Sequence, residues 1–270
     1  MKITRGISEI CGSIIGDGWI QSNGKNLFIT GNLTEDKKYY DNHLAPLIRK
    51  ELKIDLQPRS FLYWRTYGVG IYKKEIIKQF LELGMLQGEK ASRTFIPDKF
   101  KRNKKYFIPL LRGIFDTDGS IYFMRDPNPK RKSSFHVRPR IRIACISKRL
   151  IDDIKFLSKN IGIKHSNPSP FNWKNDKNPV YIFEINEKSS IQKWLNLIGT
   201  KNPVHQTKVS IWKKFGYVPP KTTLNERIKI LKGFINPESY YDSRRGTQVW
   251  SKGQRSSFQN RNLSFDEKMK

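Results

Sequence analysis

Two aspartates, Asp17 and Asp118, each precede a glycine at the end of an apolar run, and the residues around them repeat. The first copy reads Gly12-Ser-Ile-Ile-Gly16-Asp17-Gly18-Trp-Ile20; 101 residues on, the second reads Gly113-Ile-Phe-Asp-Thr117-Asp118-Gly119-Ser-Ile121. A single Asp-Gly after an apolar run marks only a turn. Two in matching contexts predict one composite site. Carboxylates at neighbouring helix C-termini repel each other, and each faces the negative end of its own helix dipole, so a divalent cation between them relieves both. His43, His136, His165 and His205 are scattered without zinc-ligand spacing. Oxygen ligands alone suit a hard ion that keeps some of its waters, Mg2+, and metal-bound water is a nucleophile for phosphodiesters. Asp116 has Ile15 as its counterpart in the first copy, which predicts a helix residue or cap-network member rather than a third acid of the site.

The spacing around the aspartates says what must hold them. Gly12 and Gly16, like Gly113 and Thr117, lie four positions apart on one face of a helix, and small residues at that spacing let two helices cross with backbones close. These four residues are the expected helix interface, which sets Asp17 beside Asp118. Gly18 and Gly119 are expected to stop the helices in the left-handed conformation.

After the first acidic tip, the pattern predicts strands at 19–21 and 27–32 and a helix over 34–52 with Thr34 as its N-cap. A hairpin at 57–72 follows, broken at Tyr67-Gly68, then a helix at 76–83. The second half repeats the order, with strands at 121–125 and 136–146, a helix at 147–161, a hairpin, and a helix at 189–198. Ile71-x-x-Lys74-x-x-Ile77-x-x-Phe80-Leu81-x-Leu83 also aligns with Ile185-x-x-Lys188-x-x-Ile191-x-x-Trp194-Leu195-x-Leu197. The reading is an internal duplication of αββαββα units in an α+β chain. Its segments are 1–107, a first unit with a basic connector; 108–220, a second unit with an insertion at 126–134; and 221–270, a basic extension with a helix near 224–234 that is expected to contact DNA.

The chain carries 52 Lys and Arg against 24 Asp and Glu, a net charge of +28, and all three segments are net positive. A folded body this basic is a polyanion binder. In the strand from His136, Arg138, Arg140 and Arg142 alternate with Val137, Pro139, Ile141 and Ile143, so one face is guanidinium and the other apolar. That face suits a nucleic-acid groove, where Arg pairs with guanine edges or phosphates. Gln57, Arg59, Tyr63 and Arg65 are the weaker counterpart in the first half. The pairing of Lys74 with Lys188 makes them the candidate basic catalytic residues. Cys11 and Cys145 are too few for a disulfide framework, and no apolar run is long enough for a membrane span. An intracellular location is expected, the cytoplasm of a prokaryote or an organelle matrix, with no secretion.

The paired segments ICGSIIGDG and LRGIFDTDG resemble the signature of the LAGLIDADG homing endonucleases, present twice as in the monomeric members. The resemblance covers about residues 5–200. It implies a pseudo-twofold pair of units packed through the motif helices and antiparallel sheets forming a DNA-binding saddle. It also implies metals held by Asp17 and Asp118, with the carbonyls of Gly16 and Thr117 joining the shell. The implied activity is a double-strand break in a long double-stranded DNA target with Mg2+, for which Mn2+ substitutes, while Ca2+ supports binding without cleavage. Two alternatives stay open: an RNA maturase acting on its own intron RNA, and a noncatalytic DNA-binding regulator.

Overall fold

The computed structural model describes residues 1–125, 135–172 and 178–241. The insertion at 126–134 and most of the basic extension lie outside the described residues. Helix α1, Arg5–Ile15, starts where the Thr4 hydroxyl accepts from the Ile7 N–H at 2.9 Å, and every residue from Gly6 to Ile15 is buried. A helix buried on all sides is a central one.

The chain then forms strands β1, Gly18–Ile20, and β2, Leu27–Asn32, and a helical stretch in three pieces. These are α2, Lys37–Tyr39, a π turn at Tyr40–Leu44, and α3, Ala45–Leu52. Thr34 is not the N-cap. The Asn32 side chain accepts from the N–H groups of Thr34 and Glu35, both at 3.0 Å, and this tight turn delays the helix to Lys37. The π turn leads into Pro46, which has no N–H to continue the ladder.

Strands β3, Arg59–Phe61, and β4, Thr66–Ile71, make the hairpin, and α4 is Lys74–Glu82. The hairpin turns at the 3-10 segment Leu62–Trp64, with Arg65 left-handed at φ 52°, not at Tyr67-Gly68. Gly68 lies inside β4, where a Cβ would overlap the Ile29 carbonyl. The first sheet is antiparallel, in the order β1-β2-β4-β3, and buries Ile20, Leu27, Ile29, Val69 and Ile71 on one face.

The connector is more than a spacer. Gly88 N–H donates to the Ile20 carbonyl at 2.8 Å, so the chain returns to β1 before forming the short helix α5, Asp98–Lys101. The second motif helix α6, Lys104–Asp118, leads into β5, Gly119–Arg125, and β6, His136–Cys145. Next come α7, Lys148–Asn160, capped by Ser147, then β7, Tyr181–Ile185, and α8, Lys188–Leu197. The second sheet has the order β5-β6-β7; where the first has a fourth strand, only the bridges Ser166–Glu184 and Phe171–Val180 form among the described residues.

Two helices follow, α9, Pro203–Phe215, which the sequence pattern did not disclose, and α10, Leu224–Leu231, which carries a Thr223/Glu226 capping box. The fold is α+β with antiparallel sheets. The described chain divides into two compact units, residues 1–122 with 139–205, and residues 123–138 with those from 206 on. The first unit holds both motif helices. In the second, Phe135 stacks on Tyr217 with centroids 4.4 Å apart, and buried Arg227 donates to Thr207 Oγ1 at 3.0 Å.

Candidate metal centre and nucleic-acid interface

Helices α1 and α6 touch backbone to backbone. A Cβ on Gly12 would overlap the Leu110 carbonyl, and one on Gly113 would overlap the Glu9 carbonyl and stand 2.8 Å from the Ser13 nitrogen. A Cβ on Gly16 would strike the Thr117 hydroxyl and lie 3.4 Å from the Asp118 carboxyl carbon. The small residues therefore bring the two acidic tips together. Across the same pair, buried Glu9 on α1 accepts from Arg112 of α6 and from His43, both at 2.5 Å.

Gly18 and Gly119 differ from expectation, since neither is left-handed and Gly119 is extended at φ −84°. Their need for glycine is steric. A Cβ at Gly18 would enter the Ile14 backbone, and one at Gly119 would enter Phe115.

Asp17 is half-buried, and Asp118 keeps an edge open to water. Burial pushes the Asp17 carboxyl well above the ordinary 3.8, helped by the charges of Asp118 and then Asp36 and opposed by Lys90 and a hydrogen bond from Tyr40. Burial raises Asp118 too, with Lys90 opposing. The Tyr40 hydroxyl donates to Asp17 Oδ2 at 3.4 Å, and Asp36 is tied to Asn202 Nδ2 at 3.0 Å.

The cation beside this pair is Lys90, delivered by the connector. Its Nζ donates to the carbonyls of Ile14 at 2.8 Å, Ile15 at 2.5 Å and Gly16, the free end of α1. Burial draws its ammonium down from 10.5 to about 8, against the pull of Asp118 and Asp17. Repeat matching could not find it, because Lys90 lies in the stretch treated as a connector. A cue remained in the sequence: it is a lone lysine between Gly88 and an apolar return.

No group of three His, Cys, Asp or Glu side chains suited to a metal ion occurs among the described residues. The donor set is two neighbouring carboxylates, Asp17 half-buried and Asp118 open to water. Mg2+ takes one or two carboxylates and fills its remaining positions with water and substrate phosphate, so the residues fit that ion. Of the two carbonyls expected to join the shell, that of Gly16 already accepts from Lys90. Asp116 is a cap-network member: fully buried, it accepts from the Lys201 N–H at 2.8 Å and from Thr200, and burial lifts its carboxyl to about 6.

Lys74 and Lys188 open α4 and α8 at exposed positions. The β6 alternation is as expected, with Ile141 and Ile143 buried. The row of arginines is not uniform, however. Arg138 is exposed, Arg140 donates to the Asn186 carbonyl at 2.9 Å, and Arg142 is paired with Glu184 at 2.6 Å over the Tyr122 ring. In the first half Gln57, Arg59, Tyr63 and Arg65 are all exposed, the last two in the hairpin turn. No helix among the described residues is long and apolar enough to cross a membrane.

Residues 108–199 match the family profile of the LAGLIDADG-like domain. No curated protein matches the sequence. Similar solved structures include mesophilic variants of the homing endonuclease I-DmoI, at 19% identity and TM-score 0.49, covering 72% of this chain and 96% of that one. I-DmoI in complex with DNA and Mn is also similar, at 18% identity and TM-score 0.49, over 72% of this chain and 97% of that one. Full-length DUF199/WhiA from Thermatoga maritima is similar at 15% identity and TM-score 0.45, over 85% of this chain and 66% of that one. Residues 108–199, from within α6 to the end of α8, are a LAGLIDADG-like domain.

Proposed function

We propose that this protein is a site-specific DNA endonuclease of the homing type, acting as a monomer because one chain carries both acidic tips. The observation that carries the reading is the juxtaposition of Asp17 and Asp118 at the ends of two helices in glycine-mediated contact. A protein that only bound DNA would have no use for two mutually repelling carboxylates there. Asp17 and Asp118 would hold Mg2+, or Mn2+ in its place; the ion supplies polarisation of the scissile phosphate and an activated water. Tyr40 orients Asp17, Lys90 fixes the end of α1 and offers a positive charge to the phosphate, and the helix contact keeps the two acids at one spacing. Two acids, one from each half of the duplication, would serve one strand each. Exposed arginines, Arg138 among them, would hold the duplex through phosphates and base edges.

A second reading, DNA binding without cleavage, is favoured by Lys90, whose ammonium already offsets part of the carboxylate charge. One experiment separates the two: incubation with a randomised duplex library in Mg2+, Ca2+ or EDTA, followed by sequencing of ends. Mg2+-dependent double-strand cuts with a short stagger at one long site support the endonuclease. Tight, selective retention with intact DNA in all three supports the second reading.

A further inference from the structure

Asp36 stands at the N-cap of α2 and does not cap it. An aspartate there ordinarily accepts from N–H groups two or three residues on, and the Asp36 side chain makes no such bond. The matching helix of the second half, α7, is capped in the ordinary way, with the Ser147 hydroxyl accepting from the Leu150 N–H at 3.3 Å. The Asp36 carboxylate is committed elsewhere. Its Oδ2 accepts from the Asn32 N–H at 2.8 Å, and its Oδ1 from Asn202 Nδ2 at 3.0 Å.

This orientation brings it to Asp17. A Cβ at Gly31 would lie 2.7 Å from Asp36 Oδ2 and 3.2 Å from Asp17 Oδ2, so the glycine leaves open a gap that both carboxylates line. Like charges lining one gap repel each other. A hydrated cation relieves both, because the carboxylate that does not bind the ion directly can accept from its waters. Mg2+, which keeps several waters, suits that division between a ligand and an acceptor.

Asn202 holds the Asp36 side chain in place. It is 3% exposed, and its amide is fully used: Nδ2 donates to Asp36 Oδ1 and, at 2.9 Å, to the Asp116 carbonyl, while Oδ1 accepts from the Val204 N–H at 2.9 Å. The same loop grips the Asp116 carboxylate through Thr200 and the Lys201 N–H. One buried amide therefore joins the last turn of α6, which ends in Asp118, to the carboxylate beside Asp17.

We propose that Asp36 and Asn202 are positioning residues of the metal centre, an inference that rests on Asp17 and Asp118 being ion ligands. Asn202 fixes the Asp36 carboxylate against α6, and Asp36 accepts hydrogen bonds from the water shell of the ion that Asp17 holds.

The test is titration of the full chain with Mn2+, counting the free ion by electron paramagnetic resonance, with the urea midpoint of each variant measured alongside. Asp17→Asn defines the site by losing it. Asp36→Asn, which keeps the side-chain size and removes the charge, is expected to weaken Mn2+ binding about tenfold or more with a near-native urea midpoint. Asn202→Ala should weaken it in the same direction. Exposed Asp152→Asn, a control from an ion pair with Lys148, should bind like the native chain. Native affinity in Asp36→Asn, with the site lost in Asp17→Asn, would overturn the proposal and spare the metal centre itself. Mn2+ binding that Asp17→Asn leaves unchanged would overturn both. A loss in Asp36→Asn that comes with a matching fall in urea midpoint would make the residue structural and also overturn the proposal. If Asn202→Ala loses the native circular dichroism, Asp36→Asn carries the comparison alone.

Discussion

Gly12 and Gly113 face each other where α1 and α6 cross: a Cβ on Gly12 would lie 3.1 Å from the Cα of Gly113. The obstacles around both positions are mainly backbone, which cannot rotate away as a side chain can. Gly12→Val or Gly113→Val is therefore expected to destabilise the protein by about 1–3 kcal/mol or more, read as a lower urea midpoint with an unchanged slope. Native stability in both variants would show that the helices can separate without cost.

Glu9 sits in the same helix pair. Burial favours its protonated form, but the hydrogen bonds of His43 and Arg112, with their charges, win and hold it below the ordinary 4.5. The sign follows from linkage: the unfolded chain takes up this proton first as pH falls, so the stability from Glu9 is present above about pH 4.5 and is lost below it, through the folded-state value. Glu9→Gln is expected to cost about 3 kcal/mol at neutral pH, because Arg112 loses a buried partner, and to flatten the acid limb of stability against pH. An unchanged acid limb would mean that Glu9 does not govern it.

Lys90 gives the opposite sign. Its ammonium is lowered to about 8 from 10.5, so between those values the unfolded state binds more protons and the metal-free protein gains stability as pH rises. Lys90→Met should remove that gain and lower cleavage by roughly 100-fold, with Lys90→Arg in between. Denaturation midpoints from pH 7.5 to 10 and single-turnover cleavage rates check the two parts separately.

Binding to duplex DNA should weaken steeply with salt. If the basic surface covers about 6–10 phosphates, affinity falls on the order of 1,000-fold or more between 50 and 200 mM salt. Arg138→Ala should lessen that slope by about one phosphate if it contacts the backbone, or relax base preference at one position if it reads a base. A flat salt response would contradict a groove-spanning surface.

Most of what positions the aspartates was legible in the sequence. The glycine spacing of Gly12, Gly16 and Gly113 encodes a close helix contact, and the alternation at Ile141 and Ile143 encodes the buried face of β6. What stayed hidden depended on partners distant in the chain. Lys90 acquires its place by returning to the end of α1, which no local period reports. Arg142 looked free until the sheet set Glu184 beside it. Asn32 displaced Thr34 as the turn-forming side chain: it accepts from the Thr34 and Glu35 N–H groups, and the Thr34 hydroxyl itself donates to Asn32 Oδ1 at 3.1 Å instead of capping a helix.

The central claim is that Asp17 and Asp118 together hold the ion that cuts DNA. The most direct measurement compares native protein, Asp17→Asn and Asp118→Asn on one cleavable duplex, scoring double-strand cutting in Mg2+ and binding in Ca2+. Loss of double-strand cutting in each variant with Ca2+-supported binding retained is the predicted result; variants that still cut both strands at the native rate would contradict it.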